Sequence, residues 1–251
     1  MSNDKATITG TRPSIIVDDV KKTFLLRHTH SFKEAFIAWT KKKKVSSSFD
    51  ALTDVSFTVN EGESLAILGY NGSGKSTLLK LISGVLEPDS GKVRTRGRVA
   101  GLIEVGAGFH PDLSGRENVY LNAAILGMSR TEIDANYDEI VEFSGIEKFI
   151  DTEVRHYSSG MFLRLAFSVA IHTELDVLLV DEILAVGDEP FREKCVTKIK
   201  QLASEGKTLV VVSHDLDMVS DICERGIVVR KGKVEFDGEV SEAVAYLRGS
   251  E

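Results

Sequence analysis

Gly69, Gly74, Lys75 and Ser76 fall at the spacing G-x-x-x-x-G-K-S within "GYNGSGKSTLLKLISG", residues 69 to 84. An apolar run, "SLAILG", leads into the stretch, and a helical pattern, "KSTLLKLI", begins inside it, which is the strand-to-helix setting of a phosphate-binding loop. Glycines let the backbone wrap closely enough for successive N–H groups to point at phosphate oxygens, and the helix start adds its positive end. Lys75 is expected to reach the β and γ phosphates of a nucleoside triphosphate, and the Ser76 hydroxyl to ligate Mg²⁺. Asn71, Gly72, Ser73 and Thr77 complete the expected cradle.

Two further stretches suggest what is done with the phosphate. "VLLVDE" is an apolar strand ending in Asp181 and Glu182, which can place one carboxylate on the metal and the next beside an attacking water. "LVVVSHD" ends another apolar strand at His214, where an imidazole can sense or polarise the γ-phosphate. Either strand end alone has an ordinary structural reading, but the three in this order point to hydrolysis. A fourth stretch, "YSSGMFLRLAFSVA" (157 to 170), reads as a serine-capped, largely apolar helix whose start can offer a hydroxyl and N–H groups to a phosphate.

These residues need a frame to hold them. Short β-branched runs, "SIIVDDV", "DVSFTV", "SLAILG", "VLLVDE", "TLVVVS" and "GIVVRKGKVEF", alternate with helical patterns, the α/β signature. "DVSFTVNEGESLAIL" is expected to be two strands joined by a turn at Asn60 and Gly62, and "SGKVRTRGRVAGLIE" a hairpin, so that an antiparallel element flanks the parallel core. From about 114 to 172 three helical patterns follow one another, the second opened by the capping box "SRTE" (Ser129 to Glu132). The expected architecture is an α/β core with a β lobe over 14–105 and 174–251, and an inserted helical subdomain over 106–173.

Composition sets the limits. The chain has 251 residues, of which 42% are hydrophobic, enough for one sizeable core. A net charge of -7 argues against a surface built to grip nucleic acid. Cys195 and Cys223 have neither metal-ligand spacing nor a disulfide framework, and they read as structural. The longest apolar runs are far shorter than the ~20 residues a membrane helix needs. Work at a membrane is therefore expected through a partner.

With "YSSGM" placed ahead of "VLLVDE", the chain resembles the ATP-binding-cassette ATPases, P-loop NTPases with a RecA-like core, from about residue 14 to 248. Their signature is usually Leu-Ser-Gly-Gly-Gln; Ser158 and Gly160 match it, while Tyr157, Ser159 and Met161 do not. The resemblance implies ATP and Mg²⁺, with Glu182 as the group polarising water, His214 and Lys75 on the γ-phosphate, and Ser76 and Asp181 on the metal. It implies further that Ser158 and Gly160 serve the nucleotide of a second copy, so that the chain dimerises around two ATPs. Phe24 occupies the place of an aromatic that stacks on adenine, with a core Phe as the alternative. Glu104 stands where the family usually has a Gln that touches the metal, and as a carboxylate it can still ligate Mg²⁺. Asp188 matches the aspartate of the loop that crosses the dimer interface.

"YSSGM", "IEVGAGFHPDLSGRENVYLN" and "DEILAVGD" together are similar to the ATPase subunits of bacterial polysaccharide exporters, which handle O-antigen, teichoic acid, capsule and mycobacterial galactan. That resemblance implies separate membrane-spanning permease subunits, a lipid-linked polysaccharide as cargo, and a place on the cytoplasmic face of the membrane. The importer and lipid-exporter ATPases share the chemistry and differ in cargo. A P-loop GTPase is disfavoured because no Asn-Lys-x-Asp occurs, and soluble cassette proteins usually carry tandem cassettes or long coiled-coil inserts. An insertion over 25–50 contains "SFKEAFIAWTKKKK", which places Phe32, Phe36 and Trp39 on one helical face before four lysines. It is expected either to meet a membrane or partner helix, or to dock on its own domain. No C-terminal carbohydrate-binding domain is expected, since the chain ends at Glu251.

Overall fold

A six-stranded sheet in the order β5-β6-β7-β3-β8-β9 forms the centre of the molecule. Its strands are β3 (Ser64–Leu68), β5 (Val99–Gly101), β6 (Val177–Val180), β7 (Thr208–Val212), β8 (Arg225–Arg230) and β9 (Lys233–Glu239). All neighbours run parallel except β8 and β9, which form an antiparallel hairpin. The computed structural model describes residues 12–27, 46–102, 106–181 and 188–249.

The sequence of the central strands accounts for their position. Leu65 and Ile67 of β3 enter one apolar cluster while Ala66 and Leu68 enter another, and Val210 and Val212 of β7 part from Leu209 and Val211 in the same way. After the opening Ser64 and Thr208, every position of these two strands is apolar on both sides of the period-2 alternation, so both faces must be covered. One face packs against α1 (Lys75–Ile82) through Leu78 and Leu79, and against a second sheet through Ile15, Val17 and Val59. The other face carries residues of α4 (Ser159–Ile171), α5 (Glu189–Ser204), α6 (Leu216–Ile222) and α7 (Val240–Gly249). Cys195 and Cys223 lie buried on this side as free thiols, and burial pushes both up to about 12, so they pack as small apolar groups.

The second sheet is antiparallel, in the order β2-β1-β4, from β1 (Pro13–Arg27), β2 (Ser46–Asn60) and β4 (Ser90–Thr95). Here the structure corrects the reading of the sequence twice. β2 and β3 are indeed joined by a turn at Glu61 and Gly62, yet they belong to different sheets. The hairpin expected in "SGKVRTRGRVAGLIE" does not form either: β4 pairs with β1, and β5 pairs in parallel with β6. Asp176 makes the difference, because its Oδ2 accepts from the Arg98 N–H at 2.7 Å while the Arg98 carbonyl accepts from Asp176 and Val177. That clamp carries the chain at Gly97 and Arg98 out of one sheet and into the other.

Helices α2 (Gly115–Ile125), α3 (Arg130–Ser144) and α4 gather Val119, Ile133, Ile140 and Leu165 into an apolar cluster of their own. The Ser129–Glu132 capping box opens α3 as expected, and a second one, Ser114–Glu117, opens α2.

Candidate functional site

Parallel strands deliver their carboxyl ends to a single edge of the sheet, where ligands collect in open α/β folds. The order β6-β7-β3 sets β7 between the other two, so the chain leaving β7 at Ser213 and His214 emerges between the acidic end of β6 and the loop after β3.

The loop after β3 has the conformation the glycines were expected to allow. Gly69, Gly72 and Gly74 have φ of 149°, 78° and 115°. A Cβ on Gly69 would lie 2.2 Å from the Val229 carbonyl oxygen, and one on Gly74 would lie 2.7 Å from that of Ala51, so the tight wrap excludes a side chain at both. No side chain caps α1, whose N-cap is Gly74, and its first turn therefore presents backbone N–H groups toward the loop. The Ser73 hydroxyl is buried and makes no hydrogen bond among the described residues. Lys75 is only 5% exposed, and its Nζ donates to the Gly69 carbonyl at 2.7 Å and the Tyr70 carbonyl at 3.2 Å, which holds the ammonium across the loop. Asn71, Gly72, Ser73, Gly74, Lys75, Ser76 and Thr77 line one cavity of about 200 Å³ together with Phe49 and Ala51. A buried cation, aligned N–H groups and an orphaned hydroxyl fit a polyphosphate.

His214 reaches this loop: its Nε2 lies 3.0 Å from Asn71 Oδ1. Its neighbour Asp215 fixes the approach. Oδ1 of Asp215 accepts from the Met218 N–H at 3.0 Å to cap α6, and Oδ2 takes Arg192 Nη2 at 2.5 Å. Asp181 follows the wholly buried strand β6 and is itself half-buried. A hydroxyl at Ser76 and a carboxylate at Asp181 are hard oxygen donors that suit Mg²⁺, which is commonly held by one or two protein groups plus substrate phosphates.

Ser158 caps α4, its hydroxyl accepting from the Met161 N–H at 3.2 Å. Among the described residues a Cβ on Gly160 would meet only Ser158 Oγ, at 3.9 Å, so none of them requires a glycine there. None of the described residues of α4 lines the cradle cavity. Asp188 stands at the N-cap of α5 without capping it; its Oδ1 instead takes Arg164 Nη2 of α4 at 2.5 Å. Phe24 pairs in register with Phe49 across the β1–β2 ribbon, but only Phe49 lines the cradle cavity. Glu104, Glu182 and the "SFKEAFIAWTKKKK" segment lie outside the described residues.

Two contributors had escaped the sequence reading. Gly232, in the β8–β9 turn, donates its N–H to the Ser73 carbonyl at 2.8 Å and accepts from the Thr53 N–H at 2.8 Å, which props the cradle from behind. The "RKGK" hairpin turn was the signal for a glycine at φ 77°, but nothing local in it points to Ser73 of the phosphate loop, 159 positions earlier. The other contributor is Phe49. A larger groove of about 650 Å³ runs between α3 and α5 past Glu139, Phe143 and Lys198. It contains no glycine-wrapped loop, so chemistry and not size selects the site.

Residues 52–185 match the ABC transporter family model. The chain is 46% identical over 242 residues to the O-antigen export system ATP-binding protein RfbB of Myxococcus xanthus, covering 94% of this chain and 55% of that protein. To the teichoic acids export ATP-binding protein TagH of Listeria innocua it is 40% identical over 233 residues, covering 93% and 69%. The fold is also that of an ATP-binding cassette, MJ0796, whose dimeric post-hydrolysis state was solved with ADP and Pi; the TM-score is 0.71 at 24% identity, with 90% of this chain and 98% of that one covered.

Proposed function

The chain belongs to the ABC transporter family, and from that premise we propose that it is the ATP-hydrolysing subunit of an exporter of lipid-linked polysaccharide. The observation that carries the hydrolytic reading is the closure of His214 onto Asn71, which brings the end of β7 to a cradle already holding a buried lysine. In this reading Lys75 and the N–H groups of the loop and α1 neutralise the β and γ phosphates, and His214 steadies the γ-phosphate. Ser76 and Asp181 hold Mg²⁺, with Glu104 as a further candidate ligand. When bound, the metal offsets charge on the transferring phosphoryl group. Glu182 takes the proton of the attacking water.

Hydrolysis then needs a second copy of the chain. Ser158 and Gly160 lie at an N-terminal helix end that does not line the chain's own cradle, and no described residue packs closely enough to require Gly160 to be small. A two-fold partner supplies the phosphate for that helix end, and Asp188 crosses beside it, so two chains enclose two nucleotides. No helix among the described residues is long and apolar enough to cross a membrane. In this reading separate permease subunits carry the cargo, with this subunit on the cytoplasmic face of the membrane. The polysaccharide assignment rests on the O-antigen and teichoic acid export systems for which the relatives are named.

Glu182→Gln tests this reading: it keeps the shape and removes the basicity. ATP should still bind, hydrolysis should fall by roughly 10²-fold or more, and light scattering should show an ATP-dependent dimer. Near-normal turnover in the variant removes Glu182 from the mechanism.

A further inference from the structure

We propose that Tyr70 is a positioning residue that ties the phosphate loop to the last turn of α7, so that nucleotide binding and the ordering of that helix end are coupled. The inference rests on the nucleotide-binding reading above and adds a distant element to its site. Between Gly69 and Gly74 the loop carries Tyr, Asn, Gly and Ser, and Tyr70 is the one side chain there long enough to leave the loop. Its hydroxyl donates to the Leu247 carbonyl at 3.1 Å, 177 positions away. Its own carbonyl accepts from Lys75 Nζ at 3.2 Å and from the Ser73 N–H at 3.1 Å. One residue thus joins the cation of the cradle to a helix none of whose described residues lines the cavity.

Such a bond transmits position only if the helix is itself held. The last four carbonyls of a helix have no partner within it; Leu247 stands in the last turn of α7, and Tyr70 satisfies its carbonyl. The helix lies close on β8 because position 226 is glycine: a Cβ there would stand 2.7 Å from that of Ala243. Ala243 and Val244 are buried, and the Tyr246 ring stacks on Phe236 of β9 with centroids 5.3 Å apart. At its start the phosphate loop rests on the same strand, since Gly69 packs against the Val229 carbonyl. Helix end and loop are thus both seated on β8, and Tyr70 bridges them. A ligand that favours one arrangement of the loop then favours one arrangement of the helix end, and by linkage the reverse holds.

Amide hydrogen exchange and titration calorimetry with Mg·ADP test the tie in the full chain. In the wild type, saturating Mg·ADP should slow exchange over residues 246–249 by about threefold or more. Tyr70→Phe removes only the hydroxyl; that protection should vanish and the Mg·ADP Kd should rise about two- to tenfold, the effect of one hydrogen bond. Phe236→Ala loosens the seat of α7 away from the loop. It should weaken Mg·ADP in the wild-type background and have no further effect on Kd in Tyr70→Phe. Additive effects of the two substitutions on Kd would overturn the tie, as would protection of the helix end that survives in Tyr70→Phe. A lowered melting temperature in Tyr70→Phe with unchanged Kd would show a purely structural role and would also overturn it. A wild-type chain that binds Mg·ADP without protecting 246–249 refutes the tie alone. A wild-type chain that binds no Mg·ADP refutes the nucleotide reading beneath it, and the tie with it.

Discussion

His214 Nε2 stands 3.0 Å from Asn71 Oδ1, so the end of one strand closes on the middle of the phosphate loop that follows its neighbour. An amide oxygen can only accept, which places the proton on Nε2 in this pose. The imidazole is therefore aimed at the cradle.

Removing that imidazole should damage turnover more than binding. His214→Ala should lower kcat on the order of 10²-fold, with the ATP KM within a few-fold of wild type, as expected for a group that acts on developing charge. Steady-state phosphate release across ATP concentrations checks it, and a pure KM effect would make His214 a binding residue.

The cradle glycines should differ in sensitivity. Gly72 has φ 78° but no atom of the described residues within 4 Å of where a Cβ would stand, so Gly72→Ala carries only the left-handed backbone cost, about 1–2 kcal/mol. At Gly69 the added methyl meets the Val229 carbonyl oxygen, and Gly69→Ala should destabilise by clearly more, with disturbed β3–β8 pairing. Urea unfolding of the two variants ranks them, and equal costs would contradict the geometry.

Arg164 and Asp188 form an ion pair between α4 and the start of α5, and Arg164 also lies over the Phe191 ring at 5.4 Å. Asp188 gives up its capping bond for this pair, at a position where a cap is usually worth about 1 kcal/mol. With side chains 27% and 56% exposed, the coupling should be modest, about 0.5–1 kcal/mol in a double-mutant cycle of Arg164→Ala and Asp188→Ala. Strictly additive stability losses would show that the two do not act together.

His172 ends α4 buried against the edge of the Phe143 ring, with Nδ1 2.7 Å from the Ser168 carbonyl and Nε2 3.2 Å from Glu139 Oε1 without hydrogen-bond alignment. Glu139 is shared with Lys198 Nζ at 3.3 Å. Burial holds the imidazole below its ordinary value. Its folded pKa is depressed, so the unfolded chain takes up the proton more readily. The stability that the neutral ring contributes is present above about pH 6.5 and is lost as pH falls below it toward the folded value. Melting temperature should therefore drop more steeply from pH 7.5 to pH 5 in the wild type than in His172→Gln. Parallel profiles would contradict the assignment.

The parts legible in the sequence were those whose cause is local. The glycine spacing at 69–74, the alternation in "SLAIL" and "TLVVV", and the Ser129–Glu132 capping box each depend on neighbours a few positions away, and each has the conformation expected of it. What stayed hidden depends on distant partners. The fate of β4 and β5 turns on Asp176, 78 positions from Arg98. Gly232 props a loop it approaches only through the fold, and which of the facing rings Phe24 and Phe49 lines the cavity is invisible in a ribbon where both are aromatic and share one face.

The shared-site dimer is the central claim, and mixing two dead variants tests it most directly. Lys75→Ala removes the cradle cation and Ser158→Arg blocks the helix end that we assign to the partner's nucleotide, so each homodimer should be nearly inactive. In a mixed dimer one site carries both lesions and the other pairs an intact cradle with an intact helix end. Phosphate release should return to a substantial fraction of wild type in mixed dimers isolated through two different tags. Proven mixed dimers as inactive as their parents would contradict the account.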